Sequence, residues 1–366
     1  GDTGDHDDAI SLQLIPQGYR IGIHISDVAS RLQMDSALHA EAHERVSSLY
    51  LPAQTIPLFP QELANGSFSL IAGKARPVLS LYATLDEDMR LRDWDFKLEG
   101  IRLSDNLSYE EVDSRLGENP FSQFMKICRS LQLERTGEKT ERKPHYSWNI
   151  KVTDGRIRMQ RVDNLSPARF IVEELMILYN SLLAEHATKY QLPLIYRNIN
   201  EFEVGEEEED APPTGIQAYL STRARYHPGI GSQAYLHATS PIRRFTDIVN
   251  QAQFEALLAG GEPPHTRDQL EDMIPHIQKR LLLLRQVARR SERYWLLRYI
   301  RQNHVGDPLD AILLRRHRQG CQAELTRWDK RLILRCEDSP PLNVPVKIVI
   351  SSVDMDELVA DADVIL

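Results

Sequence analysis

Alternating apolar and polar positions predict an antiparallel hairpin near the start of the chain. In AISLQLI every second residue from Ile10 is apolar, and YRIGIHISDV resumes this alternation from Ile21. The intervening PQG supplies a turn between the two strands. The segment RPVLSLYATLDEDMRLRDWDFKLEGIRLS has the same two-residue period and therefore predicts further strands.

Apolar residues spaced three or four apart predict helices in the middle of the chain. SALHAEAHERVSSLYLP indicates a helix ending near Ser47, and residues 109–135 have a helical pattern. In SPARFIVEELMILYNSLLAEHATKY, Ser166 is the expected N-cap and Pro167 takes the first helical position. An arginine-rich helix is expected over residues 268–302.

The segment TSPIRRFTDIVNQAQFEALLAGG has the same pattern, with Ser240 as the expected N-cap and Pro241 at the first helical position. Arg243 would then lie at the third position of this helix. Free N–H groups at a helix N-terminus bind anions, and a guanidinium there can join them on one phosphate. A well-capped helix with solvent-facing arginines is the alternative interpretation.

The last part of the chain changes to short strands, with DAILLRR, QAELTR, RLILRC and VKIVISSV as candidates. About 60 residues of this kind suit a small β-barrel. We therefore expect an α+β protein, with a mixed α/β domain over residues 1–303 and an OB- or S1-like barrel over residues 304–366.

Composition indicates a globular protein, since 42% of the 366 residues are hydrophobic and 27% are charged. No apolar run reaches about 18 residues, and the start of the chain lacks the pattern of a signal peptide. Three cysteines without metal-ligand spacing fit a reducing compartment. We expect a cytoplasmic monomer with no membrane association.

The net charge of −9 is unevenly distributed along the chain. Five consecutive acids, Glu206–Asp210, occur in a predicted loop, and without them the balance is −4. Residues 279–318 are strongly basic and form either a phosphate-binding surface or a solvated helix face. The basic residues are Lys279, Arg280, Arg285, Arg289, Arg290, Arg293, Arg298, Arg301, Arg315, Arg316 and Arg318.

The first eight residues, GDTGDHDD, contain four aspartates: Asp2, Asp5, Asp7 and Asp8. Crowded carboxylates repel one another and remain charged only in water or beside a cation. They are either a surface turn or a cradle for Mg²⁺, which is commonly held by a few carboxylates and substrate phosphates. In an extended segment Asp5 and Asp7 would share a face, with Asp8 turned elsewhere.

Five separated motifs give the chain a family resemblance. GDHDDAI, YRIGIHISDVA, SSLYLPAQTIPLFPQELANGSFSL, ARFIVEELMILYN and AYLHATSPIRRFTDIVN occur in the order found in the RNase II and RNase R (RNB) family of exoribonucleases. Residues 1–302 resemble the catalytic domain, and the tail is similar in position and size to the S1-type RNA-binding barrel. The resemblance implies hydrolysis of single-stranded RNA from its 3′ end to nucleoside 5′-monophosphates.

The family's acidic motif, D-x5-D-x-D-D, matches Asp5, Asp7 and Asp8 with its last three members. The resemblance implies that Asp7 and Asp8 bind Mg²⁺ or Mn²⁺, while Asp5 orients the metal's surroundings. The first aspartate would lie upstream of Gly1. We expect a fragment that begins inside the motif, without upstream RNA-binding domains; alternatively one ligand is missing, and Asp2 replaces it.

The same resemblance assigns roles on the RNA. Arg243 would support the developing phosphate charge, and Tyr50 would stack on a base, although a tyrosine packed on the core remains the alternative. Stacking tolerates any base, which suits degradation of any RNA. Trp148 is the expected partner aromatic.

In IVEEL the adjacent Glu173 and Glu174 point about 100° apart on a helix, so one of them would enter the site. The family pattern places a ribose-recognising glutamate at Glu173, and a carboxylate on the 2′-OH favours RNA over DNA. An exposed helix acid is the alternative. Ser240 and Arg244, which flank Arg243 in SPIRR, complete the expected RNA-binding set.

Two other functions remain open at this stage. A pseudo-enzyme would capture RNA without cutting it, as the missing first aspartate suggests, and a related nuclease would act on DNA. The chain also departs from the family pattern at Gln251-Ala252 and at His227-Pro228-Gly229, which replace its usual His-Arg and His-Phe-Gly.

Overall fold

The computed structural model describes residues 4–137, 146–164, 166–201, 216–317, 320–336 and 341–365. The helices are α1 (Ala37–Arg45), α2 (Tyr109–Ser114), α3 (Phe121–Thr136), α4 (Pro167–Lys189), α5 (Phe245–Leu258) and α6 (Arg267–Asn303), with short 3₁₀ and π turns at Ala29–Arg31 and Leu63–Ser67. The strands are β1 (Asp8–Ile15), β2 (Gly18–Ser26), β3 (Leu49–Tyr50), β4 (Thr55–Ile56), β5 (Ala75–Leu85), β6 (Leu91–Arg102), β7 (Tyr146–Thr153), β8 (Arg156–Asp163), β9 (Tyr196–Glu201), β10 (Ile216–Ser221), β11 (Pro308–His317), β12 (Gly320–Leu325), β13 (Lys330–Arg335), β14 (Pro345–Asp354) and β15 (Val359–Ile365).

The predicted hairpin is confirmed as the first two strands of an antiparallel sheet ordered β1-β2-β5-β6. The register pairs Asp8 with Ile25 and Ile15 with Gly18. Ile21, Ile23 and Ile25 of β2 are fully buried and pack in one cluster with apolar residues of α3 and α4. The two-residue period thus turns one face of the sheet toward these helices.

The long helix α4 also agrees with the sequence. The Ser166 side chain accepts a hydrogen bond from the Arg169 N–H, and Pro167 is the first helical residue. Ile171 and Leu175 are buried against the sheet. The predicted ends of α1 and α6 differ from the observed ones by only a residue or two.

The start of α5 was wrongly predicted. Ser240 and Pro241 precede the helix, which begins at Phe245, and Arg243 is therefore not in its first turn. The Ser240 amide donates to the Asp247 carboxylate (2.8 Å), while the Arg244 amide donates to the Ser240 carbonyl (3.0 Å). These bonds form a separate turn, and Arg244 adopts extended backbone angles that exclude an earlier helical start.

The end of the chain forms a closed barrel of strands ordered β11-β12-β13-β15-β14, and β14 pairs with β11. This is the five-stranded OB arrangement, so the predicted α+β class and terminal barrel are confirmed. Strand β15 was missed because two of its three buried residues, Ala360 and Ala362, are small and alternate with aspartates. Ile150 of β7 and Leu297 of α6 belong to the barrel core.

Within the ranges given above, no helix combines the length and the apolar character needed to cross a membrane.

The carboxyl groups of Glu255 and Asp27 interact, and we expect this interaction to make the stability of the protein depend on pH. Burial, followed by the charge of Asp27 and a hydrogen bond to it, raises the pKa of Glu255 to about 9. Because the unfolded chain releases this proton near pH 4.5, the free energy of unfolding should fall as the pH rises from there to about 9. We expect Glu255→Gln to raise the unfolding temperature at pH 8 by several degrees and to have little effect at pH 4.5. If the unfolding temperatures of the wild type and of Glu255→Gln differed by the same amount at every pH, the raised pKa of Glu255 would be contradicted.

Candidate active site

The acidic segment before β1 is held in an extended conformation by residues 69 and 70. The His6 amide donates to the Ser69 hydroxyl (2.9 Å), which in turn donates to the Gly4 carbonyl (2.8 Å). The Leu70 amide donates to the His6 carbonyl (2.9 Å). Since Ser69 is fully buried, these bonds fix the backbone on both sides of Asp5.

Asp7 connects the acidic segment with the turn before α5. Its Oδ1 accepts from the Ile242 amide (2.8 Å) and its Oδ2 from the Arg243 Nε (3.0 Å). Arg243 also donates from Nη2 to the Ser240 hydroxyl (2.8 Å). The carboxylate is 3% exposed, whereas 43% of the Arg243 side chain remains exposed. The guanidinium is therefore fixed in orientation yet accessible to a ligand.

The surroundings of Asp7 and Asp8 disfavour the ionised forms of their carboxyl groups. Burial raises the pKa of Asp7 to about 7, against the opposing effect of Arg243, and the neighbouring charge of Asp8 adds to the increase. Burial also raises the pKa of Asp8. Both groups therefore lie in surroundings where an additional cation would stabilise the ionised form.

Asp5 interacts with the aromatic residue that the sequence singled out. The Tyr50 hydroxyl donates to Asp5 Oδ2 (3.3 Å), and burial together with the Asp5 charge raises the pKa of Tyr50 to about 12. Tyr50 therefore remains a neutral donor, while its side chain is still 44% exposed. Within the described residues, the buried Oδ1 of Asp5 has no hydrogen-bond partner, so it can accept a bond from a ligand.

These residues line one cavity of about 1080 Å³, which is large for a small-molecule site. Asp5, Asp7, Asp8, Tyr50 and Arg243 all contribute to its wall. Asp8 therefore contributes to the same cavity as Asp5 and Asp7. The Asp7 carbonyl accepts from the Ser26 amide (2.8 Å), so the pairing with β2 extends to the residue before β1.

Tyr109, the first residue of α2, is a cavity residue that sequence reasoning did not identify. Burial and the charge of Asp8 raise its pKa, and the Arg169 guanidinium lies 4.4 Å from its ring centroid. Its local signal in NLSYEEV is weak, because a tyrosine that follows an N-cap serine commonly packs against its own helix. Tyr109 therefore gives the cavity a second aromatic surface beside Tyr50.

The remaining predicted RNA contacts are not all brought to this cavity. Glu174 is buried and ion-paired with Arg135 (2.7 Å), whereas Glu173 is exposed and follows Val172, a residue of the cavity wall. Trp148 lies on β7 and packs against the barrel. Its role on RNA stays a prediction, as does that of Glu173.

Ser240 and Arg244 occupy the turn around Arg243. Ser240 is buried, and its hydroxyl orients the Arg243 guanidinium. Arg244 donates from Nη2 to Asp247 (2.7 Å) and keeps 26% of its side chain exposed. Both residues therefore hold the shape of the turn, and their contacts with RNA stay predictions.

The carboxylates suit a divalent cation that a substrate helps to hold. In the parts of the chain that the structure describes, no group of three His, Cys, Asp or Glu side chains is arranged to hold a metal ion by itself. Mg²⁺ commonly uses one or two carboxylates together with substrate phosphates and water. Asp7 and Asp8, with the unpaired Asp5 oxygen beside them, fit that mode. Asp2 and the acidic run Glu206–Asp210 lie outside the described residues.

The sequence comparisons match the chain to one domain family. The model of the RNB domain family matches residues 1–209 and 214–260. An uncharacterised ribonuclease of Synechocystis is 28% identical over 338 residues, covering 86% of this chain and 50% of that protein. Ribonuclease R of Thermotoga maritima is 27% identical over 384 residues, covering 85% and 52%. The chain thus spans about half the length of these curated relatives.

Solved structures share the fold. Mycoplasma genitalium RNase R, in complex with ribose-methylated single-stranded RNA, matches with a TM-score of 0.86 at 19% identity, covering 99% of this chain and 69% of that one. Yeast Ssd1, a pseudonuclease, matches with a TM-score of 0.71 at 18% identity, covering 93% and 49%. The same architecture therefore occurs in an RNA-bound nuclease and in a pseudonuclease.

Proposed function

Because the chain belongs to the RNB-domain family of ribonucleases, we propose that it is a 3′→5′ exoribonuclease that hydrolyses single-stranded RNA to nucleoside 5′-monophosphates. The observation that supports this most directly is the contact between Asp7 and Arg243. It joins an acidic segment and a phosphate-binding residue 236 positions apart at the wall of one large cavity. Two tyrosines line that cavity, and both can stack on bases.

The roles of the side chains follow from their contacts. The 3′ end of the RNA enters the cavity with its last phosphodiester beside Arg243. Water adds to phosphorus, the 3′-oxygen of the preceding ribose leaves with a proton, and the last nucleotide departs with its 5′-phosphate. Arg243, oriented by Asp7 and Ser240, donates to the phosphate oxygens and stabilises their developing charge.

Asp7 and Asp8 would hold Mg²⁺ or Mn²⁺, with Asp5 beside them. A cation held there would supply Lewis-acid stabilisation and lower the pKa of the attacking water. The buried surroundings of Asp7 and Asp8 strengthen their interaction with any positive charge. Asp5 fixes the Tyr50 hydroxyl and thereby the position of the ring.

Product analysis tests the proposal directly. Oligo(A) labelled at its 5′ end should shorten progressively in Mg²⁺, nucleoside 5′-monophosphate should appear from the first turnover, and EDTA should stop both. Internal cleavage products, or no monophosphate at all, would contradict the proposed activity.

Tyr50 provides a test of RNA binding. We expect Tyr50→Ala to weaken oligo(A) binding roughly tenfold, because each base–aromatic stack contributes about 1–3 kcal/mol. Tyr50→Phe keeps the ring and loses only the bond to Asp5, so its affinity should stay within about twofold of the wild type. Fluorescence anisotropy in EDTA measures both, and equal affinities for the two variants would exclude stacking on Tyr50.

Glu173 provides a test of sugar preference. If its carboxylate accepts a hydrogen bond from the 2′-OH, Glu173→Ala should reduce the ratio of RNA to DNA affinity about tenfold. Glu185→Ala, at another exposed position of α4, is the matched control. An unchanged ratio in Glu173→Ala would refute the assigned role, and an active wild type without RNA preference would favour the DNA nuclease.

The second candidate function is RNA capture without cleavage, which the likeness to the Ssd1 pseudonuclease favours. Under this alternative the chain binds oligo(A) through its cavity and barrel, and no monophosphate appears in Mg²⁺ or Mn²⁺. Binding and product release, measured on the same preparation, separate the two functions.

A further inference from the structure

We propose that Arg197, Arg244 and His237, together with the buried His227, form a second phosphate-binding site, behind the turn that carries Arg243, for a phosphate group of the RNA chain or of the mononucleotide released from it. The inference rests on the proposed function, because it takes the ligand to be RNA or its hydrolysis product.

The chain brings these residues together through β9 and the segment before α5. The Arg197 amide donates to the Tyr235 carbonyl (2.9 Å), so Arg197 lies directly beside that segment. The Tyr235 ring centroid is 5.7 Å from the ring of His237 and 5.4 Å from the ring of His227. One tyrosine thus separates two imidazoles, and Arg197 lies on the neighbouring strand.

Within the part of the chain that the structure describes, the positive charge of this cluster exceeds its negative charge. Asp247 is fully buried and pairs with Arg244, but the same Oδ1 already accepts from the Ser240 amide. Burial, and then the charges of Arg244 and Arg197, lower the pKa of His237 well below its ordinary value. Among the described residues, two guanidiniums therefore act on a neutral imidazole beside one carboxylate, an environment that attracts an anion.

Unpartnered buried atoms give an independent indication of a ligand. His227 is 2% exposed, and neither of its ring nitrogens has a hydrogen-bond partner among the described residues. The buried Nε of Arg244 also has no partner there. Buried donors are almost always satisfied in folded proteins, so these atoms fit a group that accepts several hydrogen bonds. A phosphate does so, and arginine binds it with a planar pair of donors.

The cluster adjoins the proposed active site without being part of its cavity. Arg243 lines that cavity, while the next residue, Arg244, forms a backbone bridge with Ser47 and does not line it, and its charge lowers the pKa of His237. A phosphate there would lie on the other side of the turn from the scissile bond. It would belong either to the RNA backbone or to a product that has passed the turn.

Two binding assays in EDTA on the full chain distinguish these sources. Anisotropy of 5′-labelled oligo(A) as a function of salt reports on backbone phosphates, and the shift of unfolding temperature with AMP reports on the mononucleotide. If the phosphate belongs to RNA, Arg197→Gln should weaken oligo(A) binding roughly tenfold and reduce the salt slope by about 0.7. If it belongs to the mononucleotide, Arg197→Gln should abolish the AMP shift.

Arg92→Gln, an exposed change on β6, is the matched control. The proposal is overturned if Arg197→Gln and Arg92→Gln behave alike in both assays. Should Arg197→Gln fail to fold, His237→Gln decides: it should weaken the same ligand without changing the salt slope, because the imidazole is neutral, and wild-type behaviour would overturn the proposal. A wild type that binds neither oligo(A) nor AMP would instead refute the proposed function.

Discussion

Asp7→Asn is expected to reduce the rate of RNA hydrolysis by at least roughly 10³-fold. An asparagine at this position can still accept from the Ile242 amide, but its NH₂ group would face the Arg243 Nε, which needs an acceptor. The variant would therefore lose a buried negative charge and the fixed orientation of the guanidinium at the same time. Single-turnover cleavage of 5′-labelled oligo(A) in Mg²⁺ measures the loss.

The binding of RNA to this variant separates catalysis from folding. Removing a negative charge from the cavity should leave oligo(A) affinity unchanged or slightly higher. Asp93→Asn, an exposed change on β6, should retain wild-type rates and serves as the control. If Asp7→Asn keeps a rate within about tenfold of the wild type, Asp7 is neither a metal ligand nor the residue that orients Arg243.

Local sequence signals were sufficient for much of the fold. The period of two in β1 and β2, and the Ser166-Pro167 cap of α4, are decided by residues close in sequence. The barrel was predicted because four of its short strands are likewise recognised from residues close in sequence. Strand β15 was not predicted because alanines occupy two of its three buried positions, and small residues give a weak alternation.

Long-range contacts caused the errors. Ser240 and Pro241 have the local pattern of a helix start, yet the Ile242 amide donates to Asp7 and Arg244 pairs with Ser47, so the helix begins only at Phe245. Propensity is a weak prior that such tertiary bonds override.

The candidate site depends still more on contacts that spacing does not reveal. The acidic segment and Arg243 were linked by family resemblance, because no local rule predicts a bond between residues 236 positions apart. Tyr109 was missed for the complementary reason, since its position in the cavity follows from how α2 packs near α4. Trp148, chosen from a gapped part of the resemblance, packs against the barrel.

Arg243→Lys is expected to reduce hydrolysis by roughly 10²- to 10³-fold while oligo(A) affinity changes much less. One ammonium cannot bond to Asp7, Ser240 and a phosphate in the planar arrangement that the guanidinium provides. Combining it with Asp7→Asn tests whether the two residues act as a unit. Single-turnover rates should show the double variant little worse than Asp7→Asn alone, because the second change removes an interaction already lost. Multiplicative losses in the double variant would mean that Arg243 supports the phosphate independently of Asp7.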